Sequence, residues 1–147
     1  ESVTMAQIMS ATTRFSGAGR GTRRADFLAK ARALLAQAAR HREAGEWDQA
    51  LESAYQAGLR TAGAKISASP VATRKRRPTS AWEQLRLVGE DGERWAAAFG
   101  QYSRLRSRVA SGLERNVEPV TVDHVMALSA EFLAEVESDA GWFPVAA

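Results

Sequence analysis

An all-α, antiparallel up-and-down bundle of about five helices with a flexible N-terminal arm is the fold the sequence predicts, and three observations predict it. Apolar residues recur at the 3.6-residue helical period in five separate segments. No segment carries the two-residue alternation of a half-buried strand, and glycine, proline or cap-forming residues stand between the periodic stretches. The size agrees, since 147 residues of which 45% are hydrophobic suit one domain around one core.

Residues 1–23 are rich in Ser, Thr and Gly with scattered apolar positions, which predicts the flexible arm; residues 24–140 hold the bundle and residues 141–147 a C-terminal tail. From Ala25 the stripe Phe27, Ala31, Leu34 and Ala38, widened by Leu28 and Leu35, predicts a first helix that stops at Gly45. A second helix opens at Glu46-Trp47-Asp48 and runs to Ser67, where Pro70 forbids continuation. Its row Ala54, Gly58, Ala62 is small at every i+4 step, so a neighbouring helix can approach closely. Two prolines then bracket a loop over residues 70–78, which carries four consecutive cations and cannot enter a core.

Ser80-Ala81-Trp82-Glu83 reads as a capping box that starts a short third helix through Leu85 and Val88, closed by Gly89. The fourth helix takes Trp95, Ala98, Phe99, Tyr102, Leu105, Val109 and Leu113 as its apolar face and frays near Gly112. A turn at Asn116–Pro119 leads to the fifth, capped by Thr121, with Val125, Leu128, Phe132 and Val136 inward; Trp142 and Phe143 beyond it are expected to cap the bundle. Ala44 to Leu51 could also open a tetratricopeptide unit, but no second copy follows and a solenoid needs several.

Composition removes several chemistries. Without cysteine there is no disulfide framework, thiolate zinc site or Cys nucleophile, and no apolar run approaches the ~20 residues of a membrane span. A soluble, cytoplasmic protein with no membrane association is the expectation. Only His41 and His124 are available for acid/base or metal work, no ligand cluster accompanies either, and neither a metal nor a cofactor is implied. Arginine outnumbers lysine 17 to 3, a bias that reports genome composition as much as function and so assigns no partner by itself. The net charge of +3 divides into −6 over residues 116–147 and +9 over residues 1–115.

Two groups account for much of the positive side. Arg74, Lys75, Arg76 and Arg77 form a compact patch suited to phosphate contacts, against the plainer reading of a solvated basic loop. At 100° per residue, Arg104, Arg108 and Arg115 fall within a stripe of about 40° if the fourth helix survives Gly112. Arg106 differs, because it projects on the side of Phe99, Tyr102, Val109 and Leu113 and therefore needs a carboxylate: Glu83 first, with Glu52, Glu131 and Glu135 as the other candidates. Structural pairing is its plain role, and a partly buried Arg–Glu pair in a cleft is also how a small site would look.

A helix, a Gly-acidic-aromatic turn at Gly45-Glu46-Trp47, and a helix of the form Ala-x-x-x-Ala-Tyr-x-Ala-x-Leu-x-x-Ala over Ala50–Ala62 resemble the core hairpin of the HEPN superfamily of helical bundles. The Arg/Pro-rich loop, the Ser-Ala-Trp-Glu start and the later Trp95-Ala-Ala-Ala-Phe helix are similar to a stand-alone actinobacterial branch of it, over residues 25–138. Many HEPN proteins are metal-independent RNases marked by Arg, four to six residues, then His. Here Leu34, Leu35 and Ala36 fill the window before His41, and Val117, Glu118 and Pro119 that before His124. Without the pair, the resemblance implies a non-catalytic member rather than an RNase of the usual mechanism. The expectation is a homodimeric module that binds nucleic acid, RNA or DNA, or an acidic protein partner through its arginine-rich surface. Two rivals stand beside it: an RNase with unconventional site residues such as Arg106, and a structural adaptor in which the acidic fifth helix of one copy meets the basic surface of another.

Overall fold

The structure is a computed structural model and describes residues 16–139. Five α-helices occupy them: α1 (Ser16–Glu43), α2 (Trp47–Ser67), α3 (Ala81–Arg86), α4 (Glu90–Ala110) and α5 (Pro119–Asp139), with a single 3₁₀ turn at Pro70–Thr73 after α2. No strand occurs among the described residues. The expected all-α bundle is therefore what the chain forms. Residues 1–15 of the expected arm and the tail with Trp142 and Phe143 lie outside the described residues.

α2 is the central helix and touches every other one. Its alanines at 50, 54, 57, 62 and 64 are fully buried, and with so little side chain in the way neighbours approach on most of its circumference. Gly58 and Gly63 show the limit of this approach: a Cβ added there would sit 2.4 Å from the Phe99 ring and 2.7 Å from the Phe27 ring, respectively. Phe99 at Gly58 together with Arg106 on Glu52 runs α4 antiparallel to α2, and the tight turn at residues 44–46 folds α2 back antiparallel to α1, with Phe27 against Gly63. Ser129 on α5 donates to the Ala54 carbonyl at 2.6 Å and Lys65 reaches Asp139, so α5 runs parallel to α2. The buried hydroxyl thus ties two helix backbones where no side chains intervene.

One aromatic cluster closes the core. Trp82 stacks on Phe99 (4.8 Å, 7° between planes), Phe99 leans on Phe132 (5.6 Å), and Phe132 stacks on Trp95 (4.7 Å). The two indole N–H groups of this cluster find side-chain partners on neighbouring helices, as a buried indole requires. Trp82 donates to the Tyr55 hydroxyl (2.7 Å) and Trp95 to the Glu135 carboxylate (2.8 Å), because both rings lie inside the helix–helix seams.

Helix ends account for the boundary differences. α1 begins at Ser16, earlier than the apolar stripe starting near Ala25 predicts, since the stripe marks only the part that packs. α5 begins at Pro119 instead of being capped by Thr121, because proline suits a first helical turn. Gly45 (φ +75°) and Gly112 (φ +80°) each close a helix with the same pair of bonds, Gly45 N to Arg42 O with Glu46 N to His41 O, and Gly112 N to Val109 O with Leu113 N to Arg108 O. α4 consequently stops at Ala110, and the stretch through Leu113 that periodicity assigned to it turns away.

Candidate functional site

The four-cation loop sits at the end of the bundle where α1 starts and α2 finishes. It is held rather than slack: Ser69 Oγ accepts from Val71 N, Thr73 Oγ1 donates to Pro70 O (2.9 Å), and Gln84 donates to Pro78 O (2.7 Å) across its exit. Ser80 then caps α3 by accepting the Glu83 N–H. Arg74, Lys75, Arg76 and Arg77 are all exposed. Arg77 turns back to donate to the Ala72 carbonyl at 3.2 Å, which aims its guanidinium along the loop.

That orientation brings Arg77 to a groove of about 290 Å³ between α1, α2 and α3, whose other cation is Arg23 and whose walls include Phe27, Leu59, Ile66 and Ala81. Nothing in the sequence pairs Arg23 with Arg77. The only local sign was the basic start of α1, in a stretch read as arm.

The other predicted stripe does not survive. Arg104 and Arg108 are exposed on α4, but the turn at Gly112 carries Arg115 off the helix into a separate cleft of about 390 Å³ beside Trp47, Asp48 and Asn116. Arg108 is drawn toward Glu114 at 3.4 Å. Arg115 lines a cleft at the α1–α2 turn, the opposite end of the bundle from the loop, so the predicted cations do not gather in one pocket.

Arg106 meets a carboxylate, as its position demands, and the partner is Glu52 rather than Glu83. Its Nε and Nη2 each reach a Glu52 oxygen at 2.8 Å, while its Cζ lies 5.4 Å above the centre of the Tyr55 ring. Glu83 sits exposed on α3, in a different helix seam. Gln56 adds a third hydrogen bond to Glu52 (2.9 Å). The Arg106 hydrogen bonds hold the Glu52 carboxyl below its usual range against the opposing effect of burial, and burial pushes the Tyr55 phenol up.

The Arg106 and Glu52 side chains are 31% and 40% exposed, so solvent screens the pair and Arg106→Met should cost about 1 kcal/mol in urea unfolding. Glu52 titrates lower in the fold than unfolded, so its contribution is present above the unfolded carboxylate range and is lost as pH falls through its folded pKa. That acid-side loss should be smaller in Arg106→Met, and a variant with unchanged stability and pH profile would leave the pair without a structural role.

Both histidines lie at the opposite end from the basic loop. His41 Nδ1 is 2.7 Å from Glu46 Oε1, bracing the α1–α2 turn, and His124 is exposed on α5 beside Asp123, which takes Arg42. Among the described residues no group of three or more His, Cys, Asp or Glu could hold a metal ion. The acids of α5 are largely used at home: Asp123 by Arg42, Glu135 by Trp95, Glu137 by Arg32 and Asp139 by Lys65. No helix among the described residues is long and apolar enough to cross a membrane.

Compared with known proteins, the chain matches the family model described as SAV_6107-like HEPN over residues 38–137, from the last turns of α1 through nearly all of α5. Arg23 and Phe27 precede the matched segment. No curated protein and no solved structure matches the chain.

Proposed function

The chain belongs to the SAV_6107-like HEPN family, and from that premise we propose that it is a non-catalytic module that binds nucleic acid, RNA foremost, through the loop at Arg74–Arg77. The observation that carries this reading is the loop itself. Four adjacent cations are exposed, their backbone is anchored at both ends, and one of them is steered to a groove with a second arginine at its edge. Anchoring matters because a pre-ordered cation loses less entropy on meeting phosphate.

The absence of arginine from both histidine windows supports a non-catalytic role. Of the rivals, an enzyme relying on Arg106 is disfavoured by its bidentate engagement with Glu52, and an adaptor relying on α5 by the intramolecular use of that helix's acids. Homodimerisation belongs to the proposal, with the exposed Leu113 and Val120 beside the α4–α5 connection as its apolar surface.

Fluorescence anisotropy with a labelled single-stranded RNA across a salt series tests the binding. Each phosphate contact contributes about 0.7 to the slope of log K against log salt for single strands, so changing Arg74, Lys75, Arg76 and Arg77 together to Gln should flatten it by up to about 3. The RNA should remain intact throughout. A neutralised loop with wild-type affinity and slope would refute the assignment.

A further inference from the structure

We infer that the groove between α1, α2 and α3 accepts one unstacked nucleobase of the bound strand, laid against Phe27, while Arg23 and Arg77 hold the phosphates on either side of it; this rests on the nucleic-acid reading above. The groove's chemistry is mixed in the required way. Its floor and walls are Phe27, Leu59, Ile66 and Ala81, its cations are at the edge, and Thr79 and Gln84 add polar groups near Arg77. A volume of about 290 Å³ is at the small end of ligand pockets, enough for a planar base but not for a duplex.

Phe27 is fixed in place by close approach to α2. The space a Cβ would need at Gly63 is filled by the Phe27 ring, with atoms at 2.7 to 2.9 Å from that point, so the ring rests on α2 at glycine and is only half-buried. A half-buried aromatic that packs on α2 and lines a groove is the kind of element that single-strand binders use for stacking, with cations tracking the backbone beside it. Arg23 stands one helical turn before Phe27 on α1, and Arg77 arrives from the loop through its bond to Ala72. A purely electrostatic site would have no use for an apolar slot between two arginines.

The consequence is a preference for single strands, because a paired base cannot leave its stack without loss of pairing. The experiment compares a labelled mixed-sequence RNA strand with the same strand annealed to its complement, for the wild type, Phe27→Leu, Ala81→Leu, Arg23→Gln and Arg77→Gln. Phe27→Leu keeps an apolar wall but removes the ring face, and Ala81→Leu fills the slot from α3 without touching Phe27, so a folding defect in one does not decide the matter.

Each apolar variant should weaken single-strand binding about 5- to 10-fold while leaving the salt slope and duplex binding as they were. Each arginine variant should instead flatten the slope by about 0.7. Wild-type single-strand affinity in both apolar variants, or displacement of the strand by polyglutamate of equal charge, overturns the groove assignment. If the loop-neutralised protein still binds less in that case, the nucleic-acid reading stands and the base slot alone falls; if no RNA binds to the wild type, both fall.

Discussion

Replacing Phe99 by alanine is expected to lower the unfolding free energy by about 3–5 kcal/mol, the range for emptying a fully buried aromatic site that cannot collapse. Phe99 is 0% exposed and its ring contacts join four helices. From α4 it covers the missing side chain of Gly58 on α2, stacks on Trp82 of α3, meets the edge of Tyr55 at 6.4 Å and leans on Phe132 of α5. None of these neighbours can fill the void. Gly58 has no side chain, Trp82 is tied by its indole N–H to Tyr55, and Phe132 is already stacked on Trp95. Since a domain of this kind is stable by only about 5–15 kcal/mol, the variant should stand near the threshold of folding. Urea denaturation followed by tryptophan fluorescence measures the loss directly, and near-UV circular dichroism should report release of the Trp82–Phe99 stack. A loss below about 1 kcal/mol would mean that the cluster repacks, and that Phe99 does not hold the four helices together.

How much of this was legible in the sequence depends on what kind of information each feature needs. The helices were legible because an apolar stripe at 3.6-residue spacing is a local pattern, and Phe27, Leu51, Phe99 and Phe132 each declare their face. Where α4 stops was less so: Arg104, Arg108 and Arg115 align on paper, but the left-handed turn at Gly112 decides the matter, and periodicity does not record it. The need of Arg106 for a carboxylate could be read from its face, whereas the identity of the carboxylate could not. It depends on the register of α4 against α2, and that register is set where the Phe99 ring enters the gap at Gly58. From this crossing, two turns along each helix in opposite directions arrive at Arg106 and Glu52. Glu83 resides on α3, which meets a different part of the α4 surface. The loop cations were visible as a run of charge. The groove was not, since Arg23 and Arg77 are joined only by the return of the chain over the end of α2.

The second large effect is one that propensity alone would predict with the wrong sign. Gly92 lies in the first turn of α4, where alanine is intrinsically the better helix former by about 1 kcal/mol. Gly92→Ala is nevertheless expected to destabilise the protein by about 2 kcal/mol or more, through overpacking. A Cβ at this position would stand 2.2 Å from the Leu85 carbonyl oxygen and 3.2 Å from Val88 Cβ. The first of these is backbone and has no rotamer through which to escape. It is also occupied, accepting the Val88 N–H that finishes α3, while the Leu85 side chain is fully buried. Relief therefore requires α3 to move away from α4 as a unit, taking Trp82 off Phe99. Gly100, in the same helix, has nothing within 4 Å of its would-be Cβ, so Gly100→Ala should be neutral or stabilising by up to about 1 kcal/mol. Opposite signs for the two substitutions in one helix, read from urea midpoints, would place the cost in the α3–α4 contact and not in helix propensity. Equal signs would mean that the corner yields freely, and that the close approach at Gly92 is not what fixes α3 against α4.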